Sequence, residues 1–135
     1  IPQFKIYEGI LETIESIKNQ NIQICILTSS PSVYCGKVLD HFQLSCDQKV
    51  CYHDTRKHKP DPEPFEKALS LMRLDNKEVF AFGDKIEDSV GASRTGIDNA
   101  LCVWGIDEYK KESELGTHAK YVLIEPSEIL GCLKL

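Results

Sequence analysis

The chain has 135 residues, 41% of them hydrophobic and 27% charged, with a formal net charge of -5. That length suits one α/β domain around a single core, and the mix of apolar and charged residues is that of a soluble globular chain rather than a disordered one. The acidic balance argues against a nucleic-acid-binding surface, no apolar run approaches the roughly 20 residues of a membrane span, and residues 1–9 lack the basic and apolar regions of a signal peptide.

Ile10, Leu11, Ile14 and Ile17 recur at helical spacing, with charges between them, and predict an amphipathic helix over residues 7–20. The run IQICIL at 22–27, with β-branched Ile22, Ile24 and Ile26, predicts a buried parallel strand. It ends in Thr28, Ser29, Ser30 and Pro31, a loop rich in capping residues, from which a helix is expected to run to about His41. Residues 50–52 form a short strand candidate. Residues 62–72 predict a helix that begins at prolines and carries Phe65, Ala68, Leu69 and Met72 along one face. A second buried strand is expected at 79–82, followed by a helix over 88–95 that Gly96 stops. Residues 101–103 and 121–123 are further short strands, and 128–133 a closing helix. Strands alternating with helices imply an α/β fold, a three-layer αβα arrangement of the Rossmann type with a mainly parallel sheet.

Six cysteines stand at Cys25, Cys35, Cys46, Cys51, Cys102 and Cys132, with no C-x-x-C pair among them. Cys25 and Cys102 fall inside apolar runs, where a free thiol behaves as a small hydrophobe. The expectation is reduced structural thiols and a cytoplasmic location.

Ligands of open parallel sheets gather at the carboxyl ends of the strands, and three polar clusters fall there. Thr28 and Ser29 close the first strand, where a hydroxyl and backbone N–H groups can grip a phosphate oxygen, or can simply cap the next helix. Lys59 sits in KHKPDPEPF, where prolines force an extended approach to the helix and hold a cation in front of it. A solvated basic loop is the plainer reading of the same residues. Asp84 and Asp88 sit in FGDKIED; carboxylates at that spacing can hold Mg²⁺ beside a phosphate, or serve as helix-start acids that suit the helix dipole. His58 has no partner implied by spacing and is expected at the surface.

Together these motifs resemble the core of haloacid-dehalogenase-like hydrolases. ICILTSS is similar to that superfamily's second motif, KHKPDPEPF to its third and FGDKIED to its fourth, with Ala92 and Gly96 in a fitting continuation. VWG at 103–105 and AKYVLIEPSEIL at 119–130 resemble the phosphoglycolate-phosphatase branch, and Tyr7, Glu8 and Gly9 resemble the segment that follows its helical cap. The resemblance covers essentially the whole chain. It implies a Mg²⁺-dependent phosphatase of a small phosphorylated metabolite, acting through an aspartyl-phosphate. In those terms Thr28 and Lys59 are catalytic, Thr28, Ser29 and Lys59 bind the phosphate, and Asp84 and Asp88 hold Mg²⁺. No nucleic-acid or membrane partner is implied.

The superfamily's first motif, D-x-D, with its nucleophilic and acid/base aspartates, occurs nowhere in these residues. The chain is therefore expected to be a partial core domain over 1–135, inactive alone, with the nucleophile strand and cap upstream. That strand would be central, between the strands ending at Thr28 and Gly83. These two are then expected either to flank an inserted strand or to close up and pair directly. A non-catalytic phosphate-binding or protein-interaction module is the alternative. Receiver-like and flavodoxin-like modules share the alternation of elements, but neither an acceptor Asp at a strand end nor an early hydroxyl-rich phosphate loop is present.

Overall fold

The structure, a computed structural model, describes residues 8–104 and 119–134. Tyr7, Gly105 and His118 lie outside them. In chain order the elements are α1 (Ile10–Asn19), β1 (Cys25–Leu27), α2 (Ser32–His41), β2 (Gln48–Val50), α3 (Glu63–Met72), β3 (Phe80–Gly83), α4 (Ile86–Arg94), β4 (Asp98–Cys102), β5 (Tyr121–Leu123) and α5 (Glu128–Cys132). Two short 3₁₀ turns, Tyr52–Asp54 and Asn76–Glu78, join them.

Every pairing among the described strands is parallel, as the alternation of elements requires. β1 pairs β2 with Cys25 opposite Gln48, and β3 pairs β4 with Phe80 opposite Asp98. β5 completes the second sheet with Tyr121 opposite Ala100. β4, central in its sheet, is buried from Asn99 to Cys102.

Side chains alternate across β1 and define the layers. Ile24 packs with Ile17, Ala100, Cys102, Leu123 and Ile129 beneath α1 and α5, and Ile26 packs with Cys35, Leu39 and Cys51 beneath α2. Cys25 and Leu27 face the other way, onto Ala68 and Met72 of α3. Phe65 of α3 meets Ala92 of α4 and Ile97, with Val79 and Ala81 of the β3 segment against them. Helices thus cover both faces.

α3 buries Pro64, Phe65, Ala68 and Met72, so its expected face is close to the observed one. α1 differs: Thr13 is buried while Leu11 is exposed, because the Thr13 hydroxyl donates to the Gly9 carbonyl at 2.7 Å and is satisfied within its own helix. The expected strand at 50–52 lies earlier, at Gln48–Val50. Cys51 and Tyr52 leave it when the Tyr52 N–H turns to the Ser30 carbonyl at 3.0 Å. α4 stops as expected, with Gly96 in the left-handed region at φ 76°. All six cysteines are free thiols.

The sheet is split. Among the described residues β1 pairs only with β2, and β3 only with β4, so the two facing edges form no ladder with each other. The expected alternatives, an inserted strand or direct closure, are both absent there. A cavity of about 370 Å³ lies between the edges, lined by Ile24, Cys25 and Leu27 on one side and Phe80, Ala81 and Phe82 on the other. Its floor and roof come from α3 and α1, through Ala68 and Met72, and Ile14 and Ile17. α3 packs against β1 and against the β3 segment at once, so the helix layer sets the separation of the strands.

Candidate active site

At the carboxyl ends of β1 and β3, Lys59, Gly83 and Asp88 join the lining of the cavity. Thr28 follows β1 directly and is fixed there by its N–H, which donates to the Val50 carbonyl at 2.9 Å. Its hydroxyl oxygen accepts from the Ser30 N–H at 3.0 Å, folding the loop back on itself. Ser29 between them is exposed, and α2 begins three residues later. The loop serves the helix without a formal side-chain cap, since Pro31 holds the cap position and no side-chain hydrogen bond is made there.

The Lys59 ammonium reaches Oδ1 of Asp88 at 2.5 Å, with the two side chains only 12% and 13% exposed. The other Asp88 oxygen accepts from the Lys85 N–H at 3.1 Å, a bond at the start of α4. Asp88 is therefore a helix-start acid whose other oxygen meets Lys59. Gly83 makes this possible: a Cβ there would stand 2.4 Å from Asp88 Cβ and Oδ2. Only a residue without one lets the carboxylate lie against the end of β3.

Asp84 follows Gly83 at the same edge and is exposed to solvent. Beneath it, burial pushes the Cys102 thiol up to about 12, and the nearby Asp84 carboxylate adds to the effect. Lys59 and Asp88 are thus in contact, while Thr28, Ser29 and Asp84 stand at the same edge without a hydrogen bond to that pair. No set of three His, Cys, Asp or Glu side chains suited to a metal occurs among the described residues. Mg²⁺ needs no such cage, since it keeps several waters and binds through one or two carboxylates plus phosphate oxygens. Exposed Asp84, and Asp88 four residues on, are carboxylates of the type that donor set uses. With both Asp88 oxygens engaged, Asp84 would be the direct ligand of such an ion and Asp88 a water-bridged one.

Two features lay beyond sequence reasoning. His58, expected as a lone surface histidine, stacks on Tyr52 with centroids 4.2 Å apart and planes at 17°. Glu63, read as part of a proline-flanked helix start, holds two backbone N–H groups of the Lys59 loop.

A family model described as haloacid dehalogenase-like hydrolase matches residues 2–102. The chain belongs to that family. Pyrophosphatase PpaX of Bacillus anthracis is 32% identical over 130 residues, covering 94% of this chain and 59% of its own length. A hydrolase from Pseudomonas syringae superposes with a TM-score of 0.80 at 25% identity, covering 95% of this chain and 58% of that one. A HAD-superfamily hydrolase from Ehrlichia chaffeensis shares the fold with a TM-score of 0.80 at 23% identity, over 98% of this chain and 60% of its own. The chain spans from 46% to 60% of the length of such relatives. This haloacid dehalogenase-like chain thus carries the polar Lys59–Asp88 pair in the lining of an otherwise largely apolar slot. No helix of its described residues is long and apolar enough to cross a membrane.

Proposed function

We propose that these residues are the core of a Mg²⁺-dependent phosphatase of small phosphorylated metabolites, similar to phosphoglycolate phosphatases. The observation that carries this is the Lys59–Asp88 pair in the lining of the slot, with the Thr28 loop and exposed Asp84 directly following β1 and β3. Lys59 supplies a cation that offsets phosphate charge, and Thr28 Oγ1 with the Ser29 N–H offers donors to phosphate oxygens. Asp84 and Asp88 hold the metal, which supplies charge neutralisation when bound. Attack on phosphorus requires a carboxylate that D-x-D would provide, and no D-x-D occurs in the 135 residues. The slot between β1 and β3 supports a further central strand as its source. Both facing edges lack a ladder partner among the described residues, and the lining suits a strand apolar on both faces.

The absence of D-x-D also supports a second reading, a phosphate-binding module without turnover. Phosphate release by the product of the full reading frame separates the two. The panel should include pyrophosphate, after the name of the Bacillus relatives, together with small phosphomonoesters. Turnover that needs Mg²⁺ and falls at least about a hundredfold in Lys59→Ala supports the phosphatase. Tight phosphate binding with no turnover of any ester would replace it with the binding module.

A further inference from the structure

Lys59 lies in a loop that is tied together by its own residues. The Arg56 N–H donates to Glu63 Oε1 at 2.9 Å and the Lys57 N–H donates to Glu63 Oε2 at 3.1 Å, so one carboxylate takes both amides. The Glu63 N–H donates in turn to Asp61 Oδ1 at 2.9 Å, and the Asp61 N–H to the His58 carbonyl at 2.9 Å. The Thr55 hydroxyl donates to the Lys57 carbonyl at 2.7 Å, and Arg94 of α4 donates to the Pro60 carbonyl at 3.3 Å. Glu63 is the first residue of α3, and that helix is anchored two residues on by buried Phe65. The carboxylate therefore links a fixed helix to a backbone segment two residues before Lys59.

We propose that Glu63 is the positioning residue for Lys59: its clamp on the Arg56 and Lys57 amides closes the base of the loop and aims the ammonium at Asp88. A carboxylate suits the task because it is acceptor-only, with an oxygen for each N–H. Glutamine offers one oxygen and an amide NH₂ that opposes the second donor. The plainer role for an acid in this turn is to complement the helix dipole. Glu66 provides the control, being exposed in the same first turn and making no side-chain hydrogen bond among the described residues. What Lys59 does for phosphate rests on the phosphatase reading; where Lys59 points does not.

The test is the rate at which an amine-acylating reagent labels Lys59 in the 135-residue chain, read by peptide mass against its other lysines. Glu63→Gln and Glu63→Ala should each raise Lys59 labelling about tenfold, the effect of losing one charge-assisted hydrogen bond. Glu66→Gln should leave it unchanged, and slow amide exchange at Ala100 in each variant reports an intact core. Lys59 labelling at the wild-type rate in Glu63→Gln, or an equal rise in Glu66→Gln, overturns the proposal. No substrate enters the measurement, so a phosphatase assay that fails leaves this result standing on its own.

Discussion

The Lys59 ammonium lies 2.5 Å from Asp88 Oδ1, across 29 residues of sequence, with both groups largely withdrawn from water. Removing one partner leaves the other charge poorly solvated, at a cost on the order of 1–3 kcal/mol. Lys59→Met, Asp88→Asn and the double variant form a cycle that reports the pair alone. Urea denaturation should give a favourable coupling above about 0.5 kcal/mol. Additive single-variant effects would show that the contact contributes nothing.

Gly83→Ala tests how Asp88 reaches that position. The new methyl would stand 2.4 Å from Asp88 Oδ2, so either the carboxylate or the end of β3 must move. The variant should lose about 1–3 kcal/mol of stability, the usual cost of overpacking. It should also abolish the Lys59–Asp88 coupling. Full retention of that coupling would show that Gly83 is not required for it.

Much of this edge was legible in sequence because its signals are local. Apolar runs ending in Thr28 and Gly83 placed two strand ends, and the prolines around Asp61 placed a rigid approach to α3. The hydrogen bonds of loop 55–63 were not legible, because Glu63 acts on the backbone of Arg56 and Lys57, and backbone partners leave no side-chain pattern. β2 was misplaced for a similar reason. Gln48 and Lys49 are polar, and their strand form comes from pairing with Cys25 and Ile26 rather than from their own propensity. The separation of β1 from β3 also escaped the sequence, since it depends on how α3 packs against both.

Alkaline pH should weaken the fold through Cys25. Burial, with smaller contributions from Cys46 and Cys51, pushes its thiol from 9.0 up to about 11. Below pH 9 the thiol is neutral in folded and unfolded chains alike, and its contribution is intact. Between about 9 and 11 the unfolded chain ionises first and gives up a proton that the folded chain keeps, so stability falls as pH rises. The drop in urea midpoint from pH 8 to pH 10.5 should be smaller in Cys25→Ala than in wild type. An equal drop in both would exclude Cys25 as a source.

The facing edges of β1 and β3, which form no ladder with each other among the described residues, should make the 135-residue chain prone to association. Each backbone group buried without a partner costs on the order of 1–3 kcal/mol, against a total stability of about 5–15 kcal/mol. Sedimentation should show concentration-dependent self-association, and a hydrophobic dye should bind the slot. A dye-free monomer at all concentrations would mean that the edges are satisfied in some other way.

The proposed phosphatase site takes its acceptor carboxylate from outside these residues. Phosphate release from the same panel of esters, measured side by side for the full reading-frame product and the 135-residue chain, tests it most directly. The longer protein should turn over with Mg²⁺, stop with a chelator and stop in Asp84→Asn, while the short chain releases nothing. Mg²⁺-dependent turnover by the purified short chain would contradict the account by placing the nucleophile within it.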